Sequence, residues 1–215
     1  MPITKKNLEG IEYYHSELSK WLERTRHLFY IRDCVPIEEA YEIAGEYDLP
    51  KTQEELQTFI NFIEEENFIN KYSEINSSIG IYLSRAINEL KEEEVYLRTR
   101  EPFNYFCSYL QNKKINIEGN LGNFFAHNLK GGFAEVNGNI GLFGGNNMQK
   151  GKVYIYGDAG HFLGGGMVGG EIHCFGNIGE CPGYKRKGGK IYVCGIEIKD
   201  LSQLYQKRIN SNKNI

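Results

Sequence analysis

Apolar residues recur every three or four positions in the first half of the chain and every second position in the second half, where glycines interrupt the pattern. Over residues 7–30, Leu8, Ile11, Tyr14, Leu18, Trp21, Leu22, Leu28 and Phe29 fall on one stripe, which predicts a long amphipathic helix with a single buried face. Asp33 and Pro36 suit the start of a second helix over 37–47, because proline's fixed φ and missing N–H are harmless in a first turn. Thr52 and Glu55 form a capping box for a third helix, with Leu56, Phe59, Ile60 and Ile63 on its core side. A fourth helix is expected from about Ser78 to Glu93 on Leu83, Ala86, Ile87 and Leu90, followed by a short strand at Val95–Thr99 and a helical turn after Pro102.

Beyond residue 115 the pattern repeats with a fixed period. Gly119, Gly138, Gly157, Gly176 and Gly195 are 19 residues apart, and Gly122, Gly141, Gly160 and Gly179 follow three places after the first four. Between the glycines stand Asn120, Asn139, Asp158 and Asn177. Ala134, Val153, Ile172 and Ile191 form one apolar column, and Val136, Ile155, Cys174 and Val193 form another two positions on; Ile115 and Ile117 fill the same places in the first unit. A period of two means strand, so each unit supplies a short strand with two inward side chains. Leu129, Met148 and Met167 make a third apolar column and Phe124, Phe143 and Phe162 a fourth. The expectation is an α + β chain: an all-helical domain over 1–111, a right-handed parallel β-helix of about four 19-residue coils over 112–199, and a short capping helix with a disordered tail over 200–215. Corner glycines permit positive φ or close backbone approach, and the Asn120, Asn139, Asp158, Asn177 column is placed to form a hydrogen-bonded ladder up the coil.

A hexapeptide repeat and a nine-residue GGxGxD calcium roll both lack this spacing. Stretches such as VNGNIGLFGGNNM, VYIYGDAGHFLGGGMVGG and EIHCFGNIG instead resemble the glycine-rich GXGXG repeat. That repeat is found at the C-terminal end of the glutamate synthase large subunit and in one of the subunits of formylmethanofuran dehydrogenase. Met148 to Gly151 and Met167 to Gly170 match its Met-x-x-Gly ending; the resemblance covers residues 115–195 and none of 1–111. It implies a right-handed β-helix without catalytic residues that serves as a rigid spacer and packing surface. Fewer coils than in those enzymes, and Arg186 in place of the column methionine, depart from the family's pattern.

Charge sharpens the division and narrows the function. Residues 1–114 carry 21 acidic and 14 basic side chains, whereas the rest carries 7 and 11, and only Gly10, Gly45 and Gly80 of the 25 glycines precede residue 115. Both changes place the boundary near 112. The acidic stretch TQEELQTFINFIEEEN, where a recognition helix would lie, is repelled by phosphate, which argues against nucleic-acid binding. No apolar run reaches the length of a membrane span and the N-terminal stretch has no signal-peptide pattern, so a cytoplasmic protein is expected. Five cysteines, Cys34, Cys107, Cys174, Cys181 and Cys194, without a C-x-x-C pair read as free thiols.

Chemistry within the coil requires side chains in shared or neighbouring columns. Glu118, Glu135, Asp158, Glu171 and Glu180 occupy five different columns, and His127, His161 and His173 occupy three. No catalytic residue, metal ligand or cofactor site is expected. The stretch GGGMVGG lacks the Lys-Ser/Thr of a phosphate loop, and Lys185, Arg186, Lys187 and Lys190 read as a solvated polar end. Alternation places Tyr154, Tyr156, His173, Phe175 and Tyr192 outward on one sheet face, covered either by the chain's own helices or by a partner. The expected function is a non-catalytic scaffold or interaction subunit that associates with a protein partner or with itself. The alternative is an accessory component of a glutamate synthase-like or formylmethanofuran dehydrogenase-like complex whose active site lies in another chain.

Overall fold

The structure, a computed structural model, describes residues 5–30, 37–65 and 76–199. Among the described residues four helices come first: α1 (Lys5–Tyr30), α2 (Ile37–Ala44), α3 (Gln53–Glu65) and α4 (Asn76–Glu89). Seven strands follow in one sheet, in chain order: β1 (Glu94–Arg98), β2 (Lys114–Glu118), β3 (Phe133–Asn137), β4 (Lys152–Ile155), β5 (Glu171–Cys174), β6 (Lys190–Val193) and β7 (Ile196–Glu197). The second-helix start at Asp33 and Pro36, Cys34 and the capping helix over 200–215 lie outside the described residues, as do the side chains of Leu8, Ile11, Leu28 and Phe29.

Strands β1 to β6 pair in parallel, each with the next, and form the wall of a β-solenoid of five turns. Successive strands after β2 are in register at 19 residues, as in Ala134↔Val153↔Ile172↔Ile191, and these four side chains are fully buried. Leu129, Met148 and Met167 fill the same core from the opposite wall. At the far end β6 turns back through Cys194 and Gly195, both at positive φ, into antiparallel β7. Arg186 ties this hairpin to the last turn by donating from Nη2 to the Ile198 carbonyl at 3.0 Å.

The helices form the other end of the same core. Leu18 and Trp21 of α1, Leu56, Phe59, Ile60 and Ile63 of α3, and Ile79, Tyr82, Leu83 and Ile87 of α4 are buried in one cluster that continues into Val95, Phe103, Phe106 and the strand columns. A solenoid's first strand has one unpaired edge, a template for unwanted pairing unless it is covered. Here α3 covers it with side chains one helical turn apart. Gln53 Oε1 accepts the Tyr96 N–H at 2.7 Å, and Gln57 both accepts the Arg98 N–H at 2.7 Å and donates to the Arg98 carbonyl at 2.8 Å. Glu64 accepts from the N–H groups of Arg100 and Glu101. Helix α4 seals the opposite wall of the first turn through residues four apart. Asn76 accepts the Asn104 N–H at 2.6 Å, Ser84 bonds to Tyr105 and Ser108, and Asn88 accepts the Gln111 N–H at 3.0 Å. Between them Gly80 brings the helix so close that a Cβ would lie 1.7 Å from the Asn104 carbonyl oxygen.

Four expectations are corrected. Residues 94–111, assigned to the helical domain, form the first solenoid turn, so the solenoid has five turns rather than about four, and its sheet opens at Glu94 rather than near 112. Helix α2 stops at Ala44 instead of Tyr47, because Gly45 begins a tighter turn with its N–H on the Glu42 carbonyl. Helix α4 runs from Asn76 to Glu89 rather than from Ser78 to Glu93. Consecutive Glu92, Glu93 and Glu94 are unfavourable at a helix C-terminus, and Glu92 instead accepts the Gln53 N–H at the start of α3. The column Phe124, Phe143 and Phe162 does not point inward: all three have φ near +60°, which turns the rings outward and leaves Phe125 and Leu163, one place on, in the core.

Candidate functional site

The corner columns are where the turns come closest. Gly119 alone among the eight corner glycines has positive φ, at +129°. Gly138, Gly157 and Gly176 are held by proximity: a Cβ on them would lie 2.1, 2.3 and 2.4 Å from an oxygen of the turn before. Gly122, Gly141, Gly160 and Gly179 meet the preceding turn at 2.2 to 2.8 Å in the same way. Beside them, Asn120 Oδ1 accepts the Asn139 N–H at 2.8 Å, Asn139 Oδ1 accepts the Asp158 N–H at 2.8 Å, and Asp158 Oδ1 accepts the Asn177 N–H at 2.6 Å. The ladder therefore runs from side chain to main chain, satisfying corner N–H groups that no strand pairs with.

The outer face of β4–β6 carries two aromatic columns. Tyr154, His173 and Tyr192 stack with centroids 4.5 and 4.6 Å apart and planes within 12° of parallel. Tyr156 and Phe175 stack beside them at 5.1 Å and 9°. The first column is half-buried by its neighbours, whereas Tyr156 and Phe175 are 47% and 44% exposed. Among the described residues the helices pack against β1 rather than β4–β6, so none of them covers these rings. Along the column's rim Lys152 and Glu171 form an ion pair at 3.1 Å, which holds the Glu171 carboxyl below its usual range and the Lys152 amine above its own. His173 lies 3.6 Å from the same carboxylate.

A further aromatic column extends the Phe124, Phe143 and Phe162 repeat by Tyr105 and faces outward. Tyr105, Phe124, Phe143 and Phe162 stack at 4.6, 4.9 and 4.7 Å on the wall opposite the sheet, half-exposed and all at positive φ. Left-handed backbone is costly for an aromatic residue, and the continuous ring stack supplies a compensating interaction at each step. His127 is buried behind the top of this column, edge-on to Tyr105, Tyr109 and Phe124, with Asn128 and Asn146 at its two ring nitrogens. Burial lowers its pKa to about 4, so it is a neutral, enclosed imidazole at pH 7.

His161 is exposed and accepts the Glu180 N–H on Nδ1 at 3.0 Å, so the three repeat histidines do not meet. No group of three or more His, Cys, Asp or Glu side chains among the described residues is placed to hold a metal ion. Cys107 and Cys174 are buried, which pushes both thiols up, the latter to about 11; Cys194 is exposed on the adjoining turn. Between α3 and the outer face of β1–β3 lies a cleft of about 520 Å³, floored by Asn116, Glu135 and Asn137 and walled by Gln57 and Asn61. Sequence reasoning had no signal for it, because the helix that forms its wall is placed only by the packing of the cap. No described helix is long and apolar enough to cross a membrane. No family model, curated protein or solved structure matches the chain.

Proposed function

We propose that this protein is a non-catalytic scaffold that presents the outer face of β4–β6 to a protein partner. The observation that carries the reading is the aromatic strip of Tyr154, Tyr156, His173, Phe175 and Tyr192, stacked on a rigid wall and left uncovered by the described helices. Such a strip has little conformational entropy to lose, because every ring is already fixed by the one above it. Aromatic side chains in this state are favoured anchors at interfaces, and the Lys152–Glu171 pair supplies a polar rim. Replacing Tyr156 by Lys and Phe175 by Glu together tests the reading. The fold should survive, since both rings point outward, and association should be lost. An unchanged set of partners and an unchanged mass by light scattering in the double variant would overturn it.

The spacing and endings of the repeat favour a second, narrower reading. In it the solenoid is an accessory component of a glutamate synthase-like or formylmethanofuran dehydrogenase-like complex, and the active site belongs to another chain. Its support is the 19-residue period with Met148 and Met167 buried before their Met-x-x-Gly endings. Recovery of a flavin- or iron–sulfur-bearing chain with the native protein is the expected result under this reading, and recovery of partners without such groups counts against it.

A further inference from the structure

Four glutamates stand on the outer face of β1–β5, and three of them are matched by a cation. Glu94 pairs with Lys114 at 2.6 Å, Glu118 with Arg98 at 2.6 Å and Glu171 with Lys152 at 3.1 Å. Glu135 makes no ion pair within 4.0 Å among the described residues, and Lys114, whose amine feels its charge, is already bonded to Glu94 at 2.6 Å. Its register neighbours are Asn116 and Tyr154, and the Tyr156 hydroxyl leans on it from the next column. Glu135 lies on the floor of the cleft between α3 and β1–β3, where it is half-buried.

The rest of the cleft is lined largely by amide side chains, which can accept as well as donate. Among the described residues Arg98 is the one cation lining it, and both its Nε and its Nη2 donate to Glu118, at 3.0 and 2.6 Å. With Arg98 and Glu118 cancelling, the formal charge of the lining is that of Glu135. Gln57 is fixed to the Arg98 backbone, and Asn116, which lines the cleft, turns its Nδ2 toward Glu94 at 3.4 Å and keeps its Oδ1 as an acceptor. Tyr96 closes the other side and is 57% exposed, so its ring is available to a cation. An anion would meet a carboxylate that no ion pair neutralises, while a cation would find charge, an acceptor and an aromatic ring within one cavity of ligand size.

We infer that this cleft binds an organic cation, an ammonium or guanidinium group seated on Glu135 beside the ring of Tyr96. The site adjoins the aromatic strip through Tyr154 and Tyr156, but its cation needs no partner docked on that strip. It is tested by calorimetric titration of the full chain with agmatine and, separately, with the tripeptide Gly-Arg-Gly. Saturable binding is expected, weakened about tenfold or more by Glu135→Gln, which keeps the shape and removes only the charge-assisted bond. Tyr96→Leu should weaken it several-fold, and Glu171→Gln, at a paired carboxylate outside the cleft, should leave it unchanged. Preference for agmatine points to a free amine as the ligand, and preference for the peptide points to a side chain of another protein. No saturable binding of either cation, equal affinity in Glu135→Gln, or tighter binding of inorganic phosphate or glucose than of the cations would overturn the inference.

Discussion

Replacing Gly157 by alanine adds one methyl group at the place where two turns of the solenoid touch. The new Cβ would sit 2.3 Å from Asn139 Oδ1, 2.5 Å from the Gly138 carbonyl oxygen and 2.6 Å from the Gly138 carbonyl carbon, all in the preceding turn. Ordinary contact begins near 3.4 Å, so the turns must part by roughly 1 Å, and two of the three atoms are main chain that no rotamer change can move. That displacement stretches the Gly157 N–H to Gly138 O bond of 3.1 Å and the Asp158 N–H to Asn139 Oδ1 bond of 2.8 Å. Overpacking of about 1 to 3 kcal/mol, with about 1 kcal/mol for each of the two weakened bonds, gives a loss of roughly 3 to 5 kcal/mol. At about 2 to 4 °C per kcal/mol for a chain of this size, the melting temperature should fall by about 6 to 20 °C. Gly131 is the internal control, because the nearest atom to a Cβ there is 3.8 Å away and its φ lies outside the left-handed region. Thermal melts followed by circular dichroism should show Gly131→Ala unchanged or slightly raised. Equal melting temperatures for Gly157→Ala and Gly131→Ala would refute the claim that proximity between turns selects the corner glycines.

Other outcomes follow from the cap and from His127. Gln57→Leu leaves the Arg98 N–H and carbonyl without the partners that α3 supplies, so a loss of about 1 to 3 kcal/mol and increased aggregation on heating are expected; an unchanged urea midpoint would show that the β1 edge needs no cover. His127 has a folded pKa of about 4 against an ordinary 6.5, so the unfolded chain binds the extra proton first and stability falls as pH drops from about 6.5 to 4. That difference corresponds to an upper bound of roughly 3 kcal/mol, and His127→Gln should flatten the slope of urea midpoint against pH across this window. An identical slope in the variant would place the titration elsewhere.

How much of this was legible in the sequence depended on whether a local rule applied at each residue. The strand columns were legible because in-register parallel pairing buries the same two positions in every turn, and Ile115, Ala134, Val153, Ile172 and Ile191 are all fully buried. The first turn was hidden for two reasons. Its strand is offset from β2 by 20 residues, Glu94↔Lys114, and its corner carries Thr99, Arg100, Glu101 and Pro102 instead of glycines. Side chains of α3 and α4, rather than the main chain of another turn, lie against it, so its corner has no need of glycine. The phenylalanine column was misplaced because inward and outward alternation holds in extended backbone, while residues 124, 126 and 128 alternate into the left-handed region and rotate their side chains away. The polar edge cover by Gln53, Gln57, Ser84 and Asn88 left no mark that helix periodicity could read, since these residues look like ordinary surface positions until the first turn is placed against them.

The interaction claim is tested most directly by placing a photo-crosslinking amino acid at Phe175 in the native cell, with Lys150, exposed in a turn outside the sheet, as the control position. The account predicts one dominant adduct from position 175, absent from position 150 and lost when Tyr156 is also changed to Lys. No adduct from position 175, or the same adducts from both positions, would contradict it.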